Sequence, residues 1–265
     1  MQPLISTTEL EDRCDEIKLH DIRWSLTDRN NGRITYEAGH IPSAVYVDLD
    51  TDLAAAPGAG RHPLPDPKAF ASTLGRLGIS PSDEVVVYDD MQNTIAARMW
   101  WMLRSIGHDR VRVLDGGYQS WFDEERPVET GNFTRDSTRY PPVEFTGVAL
   151  RHDLVGRPHI DGRASARYRG DHEPVDPKAG HIPGAFNLPT TGNTDADGRF
   201  LSAQTLSQRF DPVADGSVVS CGSGVTACHN ALAMVIAGRE MPDVYVGSFS
   251  EWSGLDLPVN TGNEP

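Results

Sequence analysis

The second half of this chain restates the first at an offset of about 130 to 140 residues. Asp21-Ile22-Arg23 returns as Asp161-Gly162-Arg163, and Gly39-His40-Ile41-Pro42-Ser43-Ala44 returns as Gly180-His181-Ile182-Pro183-Gly184-Ala185. Each six-residue segment is followed by a short apolar stretch of strand character. The β-branched run Glu84-Val85-Val86-Val87-Tyr88 finds its partner in Gly216-Ser217-Val218-Val219-Ser220. Leu114-Asp115-Gly116-Gly117-Tyr118 with Trp121 is answered by Tyr245-Val246-Gly247-Ser248-Phe249 with Trp252. A chain built this way must fold as two similar units, and its 265 residues give each unit enough length to bury its own core.

Brief β-branched runs are the signature of strands buried on both faces of a parallel sheet. Each is followed by a helical stretch, Ala96 to Ile106 before Gly107 and Ala227 to Ala237 before Gly238, with glycine as the stop signal. Strands alternating with helices predict an α/β fold in which each domain is a parallel sheet with helices on both faces. Between the repeats, the chain is rich in Glu and Pro and has little periodicity, which predicts a linker. The expected division is a first domain over 1–125, a linker over 126–146 and a second domain over 147–265.

Charge narrows the partners. Thirty-eight acidic against 24 basic residues give a formal net charge of −14, and the only lysines are Lys18, Lys68 and Lys178. Nucleic acid binding needs basic stripes that are missing here. The overall field also opposes anions, so a small anionic substrate must be drawn in by local dipoles and one or two guanidinium groups. The N-terminus lacks a basic stretch followed by an apolar run, and no run of about 18 apolar residues occurs anywhere, so no membrane partner is implied and a cytoplasmic location is expected. Three cysteines, Cys14, Cys221 and Cys228, are too few and too irregular for a disulfide framework.

One of the three stands where chemistry is expected. Cys221-Gly222-Ser223-Gly224-Val225-Thr226 follows a buried-strand signal and precedes a helix. A loop with two glycines can turn its backbone N–H groups inward, and the helix N-terminus adds the positive end of its dipole. Such a cradle favours a thiolate and would hold an anionic ligand or a persulfide in the same place, with the hydroxyls of Ser223 and Thr226 as further donors. Most free cysteines are merely buried small hydrophobes, but the position matching Cys221 in the first repeat is Asp89, so one copy of a duplicated fold carries a nucleophile and the other does not.

These motifs together resemble the rhodanese superfamily, and within it the tandem-domain thiosulfate and 3-mercaptopyruvate sulfurtransferases. The resemblance is carried by Gly180 to Ala185, Cys221 to Ala227, Gly247 to Trp252 and Leu114 to Gly117. It implies a catalytic second domain, a non-catalytic first domain and an active site facing the cleft between them. The implied reaction moves sulfur from a small anionic donor to Cys221, and then to a thiol acceptor such as a thioredoxin-like protein, or to cyanide. Arg167 matches the family's arginine that binds the donor's anionic group. A second arginine, which the mercaptopyruvate enzymes place after a Glu-Pro, is missing here at Val175, where the chain reads Glu173-Pro174-Val175-Asp176. The neutral Gly222 and Ser223 resemble the loop of the mercaptopyruvate enzymes, whereas thiosulfate-preferring members carry basic residues there. The expected donor is therefore 3-mercaptopyruvate, with thiosulfate as the alternative.

His40 and His62, from segments that run near the cleft in this family, are candidates for assisting proton transfer. His40 recurs as His181 within a repeated motif, which favours a structural role. Cys228 is expected to pack within its helix, and Cys14 to be incidental. A related cysteine phosphatase would need an arginine six residues after the nucleophile, where this chain has Ala227. Cys221, Cys228 and His229 lack the close pairing of a zinc site, and no nucleotide-binding motif is present, so neither a metal nor a cofactor is expected. An inactive scaffold is the remaining reading, and it gives no reason for Cys, Gly, Ser, Gly and Thr to stand together in one loop.

Overall fold

A computed structural model describes residues 1–265. The chain forms two compact units, and each includes a short piece from the other half of the sequence. The first comprises Met1–Ala55, Pro65–Thr146 and Ala196–Phe200; the second comprises Ala56–Leu64, Gly147–Asp195 and Leu201–Pro265.

Each unit is built on a five-stranded parallel sheet. In the first, β1 (Leu4–Ile5), β2 (Ile17–Asp21), β3 (Val45–Tyr46), β4 (Glu84–Tyr88) and β5 (Val111–Leu114) lie in the order β1-β5-β4-β2-β3. In the second, β6 (Val148–Ala149), β7 (His159–Asp161), β8 (Ala185–Asn187), β9 (Val218–Ser220) and β10 (Asp243–Tyr245) repeat it as β6-β10-β9-β7-β8. The β-branched runs form β4 and β9, and their valines are fully buried because helices cover both faces. Helices Ala96–Ser105 and Ala227–Ile236 follow directly, and both are buried along most of their length. Gly107 and Gly238 lie just beyond them at φ +80° and +81°, a left-handed conformation that ends a helix.

The repeated polar motifs are one device built twice. Asp21 and Arg23 pair at 2.7 Å, Asp161 and Arg163 at 2.6 Å. Both arginines also donate to a backbone carbonyl, Gly39 O and Gly180 O, at 2.7 Å. The buried charges are thus paired and hydrogen-bonded, as burial demands. His40 is fully buried, stacked on Tyr36 at 4.0 Å, with Nδ1 bonded to the Tyr36 carbonyl at 2.9 Å. His181 does the same on Tyr168, at 3.7 Å and 2.8 Å. His40 lies in the first unit with its ring committed to packing, and this replaces the proton-transfer role considered for it.

The repeat extends beyond the last motif noted above. Trp121 Nε1 donates to Pro127 O at 2.7 Å, and Trp252 Nε1 to Pro258 O at 2.8 Å. His40 pairs with Glu129, and His181 with Asn260, through isolated backbone bridges. Residues 127–131 (Pro-Val-Glu-Thr-Gly) therefore match 258–262 (Pro-Val-Asn-Thr-Gly). The segment 126–146, expected as a linker, has no helix or strand and runs as a strap within the first unit. Gly131 N–H donates to Glu37 O, Thr138 N–H to Gly75 O, and Arg135 to Leu19 O and Ser43 O.

Candidate active site

Strand β9 ends at Ser220, and Cys221 follows at the carboxyl edge of the sheet, where parallel α/β folds place their ligands. Cys221 is 1% exposed. The loop is anchored to the next strand–helix turn: Phe249 N–H donates to Cys221 O at 3.0 Å and Ser250 N–H to Gly222 O at 2.8 Å. Cys221 N–H donates to Ser248 Oγ at 3.1 Å, and that hydroxyl donates onward to Tyr245 O at 2.8 Å. Ser248 holds this geometry at φ +51°, a left-handed conformation uncommon for serine. The residue before the cysteine is fixed as well, because Ser220 Oγ bonds His159 Nε2 at 2.6 Å. Burial pulls that imidazole down to about 4, so it is neutral near pH 7.

Gly224 takes φ +73°, and a Cβ there would overlap the Val246 carbonyl, so both conformation and space require glycine. The backbone N–H groups of Gly222, Ser223, Val225 and Thr226 donate to no backbone carbonyl. Helix Ala227–Ile236 begins at Thr226 without a side-chain cap, which leaves its N-terminal donors facing the same loop. The hydroxyl expected of Thr226 thus plays no capping part, whereas Ser223 Oγ is bonded to His62 Nδ1 at 2.9 Å. His62 is buried and belongs to the second unit through the segment Ala56–Leu64.

Arg167 lies in the short helix Ser165–Arg169. Its guanidinium is held by Glu173, through Nε at 3.0 Å and Nη2 at 2.8 Å, and by Asp176 Oδ2 at 2.8 Å. Burial alone would raise the Glu173 carboxyl, but hydrogen bonds from Arg167 and from the N–H groups of Asp176 and Val175 hold it below the usual carboxylate range. The Arg167 fork reaches Gly222, where an added Cβ would lie 3.5 Å from its Nη1.

Arg167, Cys221, Gly222, Ser223, Gly224, Val225, Thr226 and His62 therefore all fall in the second unit, and His40 does not. Arg61, Asp176, Ser248 and Ser220 with His159 were missed by sequence reasoning. The signal for Arg61 is a second repeat, Gly60-Arg61 against Gly198-Arg199, and the two pairs are exchanged between the units. Cys228 is buried in the helix with its thiol directed at Gly224 O at 3.5 Å, and Cys14 is a half-buried residue of the first unit. No helix is long and apolar enough to cross a membrane.

Residues 6–124 and 149–255 each match the rhodanese-like domain. A probable 3-mercaptopyruvate sulfurtransferase of Pseudomonas aeruginosa is 38% identical, over 98% of both chains. A putative thiosulfate sulfurtransferase of Mycobacterium tuberculosis, SseB, is 36% identical, also over 98% of both. The crystal structure of SseA from Escherichia coli, described as a 3-mercaptopyruvate sulfotransferase, matches with a TM-score of 0.82 at 27% identity, over 94% of this chain and 100% of that one. The 3-mercaptopyruvate sulfurtransferase from Leishmania major matches with a TM-score of 0.87 at 32% identity, over 97% of this chain and 75% of the other.

Proposed function

The chain belongs to the rhodanese-like domain family, and we propose that it is a sulfurtransferase that takes sulfur from 3-mercaptopyruvate onto Cys221 and passes it to a thiol or to cyanide. The observation that carries this reading is a cysteine at the mouth of a loop in which the N–H groups of Gly222, Ser223, Val225 and Thr226 are not taken up by backbone carbonyls, with the Arg167 guanidinium over Gly222.

In the first step the Cys221 thiolate attacks the donor sulfur. An S–S bond forms, the donor's C–S bond breaks, and its electron pair leaves as the enolate of pyruvate, which takes up the proton of the donor thiol. The persulfide carries the negative charge, and the loop N–H groups and helix N-terminus offset it in a site with little water. In the second step cyanide attacks the outer sulfur, leaves as thiocyanate and returns the Cys221 thiolate; a thiol acceptor leaves as its persulfide. His62 orients the Ser223 hydroxyl and is the group best placed to relay a proton at that rim. Arg167 binds the donor carboxylate. Cytoplasm is the proposed setting, since a reducing compartment keeps the thiol free, and thioredoxin-like proteins are the proposed acceptors.

The neutral Gly222 and Ser223 support mercaptopyruvate over thiosulfate. The test is mass spectrometry after exposure to each donor, with kcat/KM for both against cyanide. A gain of one sulfur, lost in Cys221→Ser and preferred from mercaptopyruvate, is expected. A thiosulfate preference would overturn the donor assignment, and a protein that never gains sulfur would leave the scaffold reading.

A further inference from the structure

At the end of β9 opposite Cys221, the second unit has a cavity of about 190 Å³, with Arg157, Ser217, Met234, Glu240, Met241 and Asp243 in its wall. Ser217 is fully buried, and its hydroxyl has no hydrogen-bond partner, a costly state for a buried polar group. Arg157 directs Nε and Nη2 to Gly216 O, at 3.1 and 2.8 Å, and Nη2 also to Asp243 Oδ2 at 2.9 Å, which leaves Nη1 without a protein partner. The Glu240 carboxylate makes neither an ion pair nor a hydrogen bond. No three acidic, His or Cys side chains stand close enough for a metal ion. The same end of the first sheet is filled by the chain itself. Val85 stands where Ser217 does, and Arg112, which matches Asp243 by strand register, pairs with Glu84, as does Arg13 at 2.8 Å.

From this we propose that the cavity is a binding site for a small zwitterion, an α-amino acid with an apolar side chain. A simple anion would meet Glu240 and Asp243, and a simple cation would meet Arg157. A molecule that carries both charges a few bonds apart suits both. Its carboxylate takes the free Nη1 of Arg157, its ammonium donates to the Glu240 and Asp243 carboxylates, and the Ser217 hydroxyl gains the partner it lacks. The side chain lies against Met234 and Met241, whose flexible thioethers adapt to its shape. The volume is below the roughly 300 Å³ at which pockets for drug-sized ligands begin, and it suits a single amino acid. Ser217 precedes β9 and Cys221 follows it, so this site is separate from the nucleophile and stands independently of the sulfur-transfer reading.

The experiment is calorimetric titration of the full chain with L-methionine as the probe. N-acetyl-L-methionine, which lacks the ammonium, and L-methionine methyl ester, which lacks the carboxylate, are run beside it. L-methionine should bind saturably, and each analogue should bind more weakly by about ten-fold or more. Glu240→Gln, at an exposed position, should weaken L-methionine by about three-fold or more. Ser217→Ala should weaken it as well, yet should melt no lower than wild type without ligand, because the hydroxyl it removes has no partner in the protein. Pyruvate should not displace the probe. No saturable binding, analogues that bind as tightly as L-methionine, or an unchanged constant in Glu240→Gln would overturn the proposal. So would a lower melting temperature in unliganded Ser217→Ala, which would give the hydroxyl a structural part, or displacement by pyruvate, which would place the probe at the donor site. The analogue series uses wild type and carries the test if a variant does not fold.

Discussion

The loops that follow β4 and β9 stand at the same place in the two sheets and hold opposite contents. After β4, the Asp89 side chain turns into its own loop. One carboxylate oxygen accepts the N–H groups of Met91 at 2.7 Å and Asn93 at 2.8 Å, and the other accepts Ile95 at 2.7 Å and Ala96 at 2.8 Å. After β9, the matching residue is Cys221, and the N–H groups of Gly222, Ser223, Val225 and Thr226 donate to no backbone carbonyl. The anchoring bonds correspond, Tyr118 N–H to Asp89 O at 2.8 Å and Phe249 N–H to Cys221 O at 3.0 Å. A strand, a tight loop and a helix N-terminus thus make an anion holder regardless of sequence. The first repeat fills it with an internal carboxylate, and the second presents a sulfur that becomes anionic once it carries another.

The sharpest way to break this comparison is to write the first loop into the second. Cys221→Asp should abolish sulfur transfer, by about 10⁴-fold or more, since the nucleophile is gone. It should leave the second unit folded, because a carboxylate there finds the same donors. Cys228→Ser should stay within about three-fold of wild type. Single-turnover persulfide formation and thermal melting read both halves of the expectation. Residual turnover in Cys221→Asp would remove Cys221 from the mechanism, and a collapse of the fold would mean that the two loops are not the same holder.

The sequence carried the holder plainly, because strand, glycine loop and helix are contiguous and their pattern is local. It did not carry what fills the holder. That Asp89 folds back onto four N–H groups depends on a loop one residue longer than its partner, where Gln92 and Asn93 take φ +56° and +62°. Nor did it carry the bond from His62 to Ser223, because the two stand 161 positions apart, and the one local trace of that crossing, Gly60-Arg61 against Gly198-Arg199, is only two residues long. Ser248 was hidden for another reason: its counterpart is Gly117, so the repeat advertised a turn and not the hydroxyl that holds Cys221 N–H.

A second, smaller effect tests whether the internal carboxylate is a buried anion. Burial pushes Asp89 up to about 6, with the N–H groups of Ala96, Met91 and Ile95 pulling it back. A raised carboxyl binds its proton more tightly in the folded state. Its contribution to stability is therefore full below about pH 4 and lost as pH rises through 6. Urea unfolding of wild type and Asp89→Asn across pH 4 to 7 should show the wild type losing on the order of 2 to 3 kcal/mol relative to the variant over that span. A constant difference would mean that Asp89 is not held as a desolvated carboxylate, and the parallel with an anionic persulfide would fall with it.

The smallest effect compares the two copies of the turn before β3 and β8. Both need a left-handed residue; the second copy uses Gly184 at φ +86°, and the first uses Ser43 at φ +64°. A Cβ on Gly184 would meet nothing within 4 Å, so Gly184→Ala isolates the backbone cost, about 1 kcal/mol. At Ser43 the bonds that tie the turn to the strap run through the backbone, N–H to Glu129 Oε2 at 2.9 Å and C=O from Arg135 Nη2 at 2.6 Å, and glycine keeps both. Ser43→Gly relieves the left-handed strain but loosens the unfolded chain, so the net gain should be only about 0.5 kcal/mol. Denaturant midpoints of the two variants should therefore move in opposite directions, with the larger shift at Gly184. A loss at Ser43 would mean that its side chain, and not its backbone, holds the strap, and that the two copies of the turn have parted in mechanism as the two loops have.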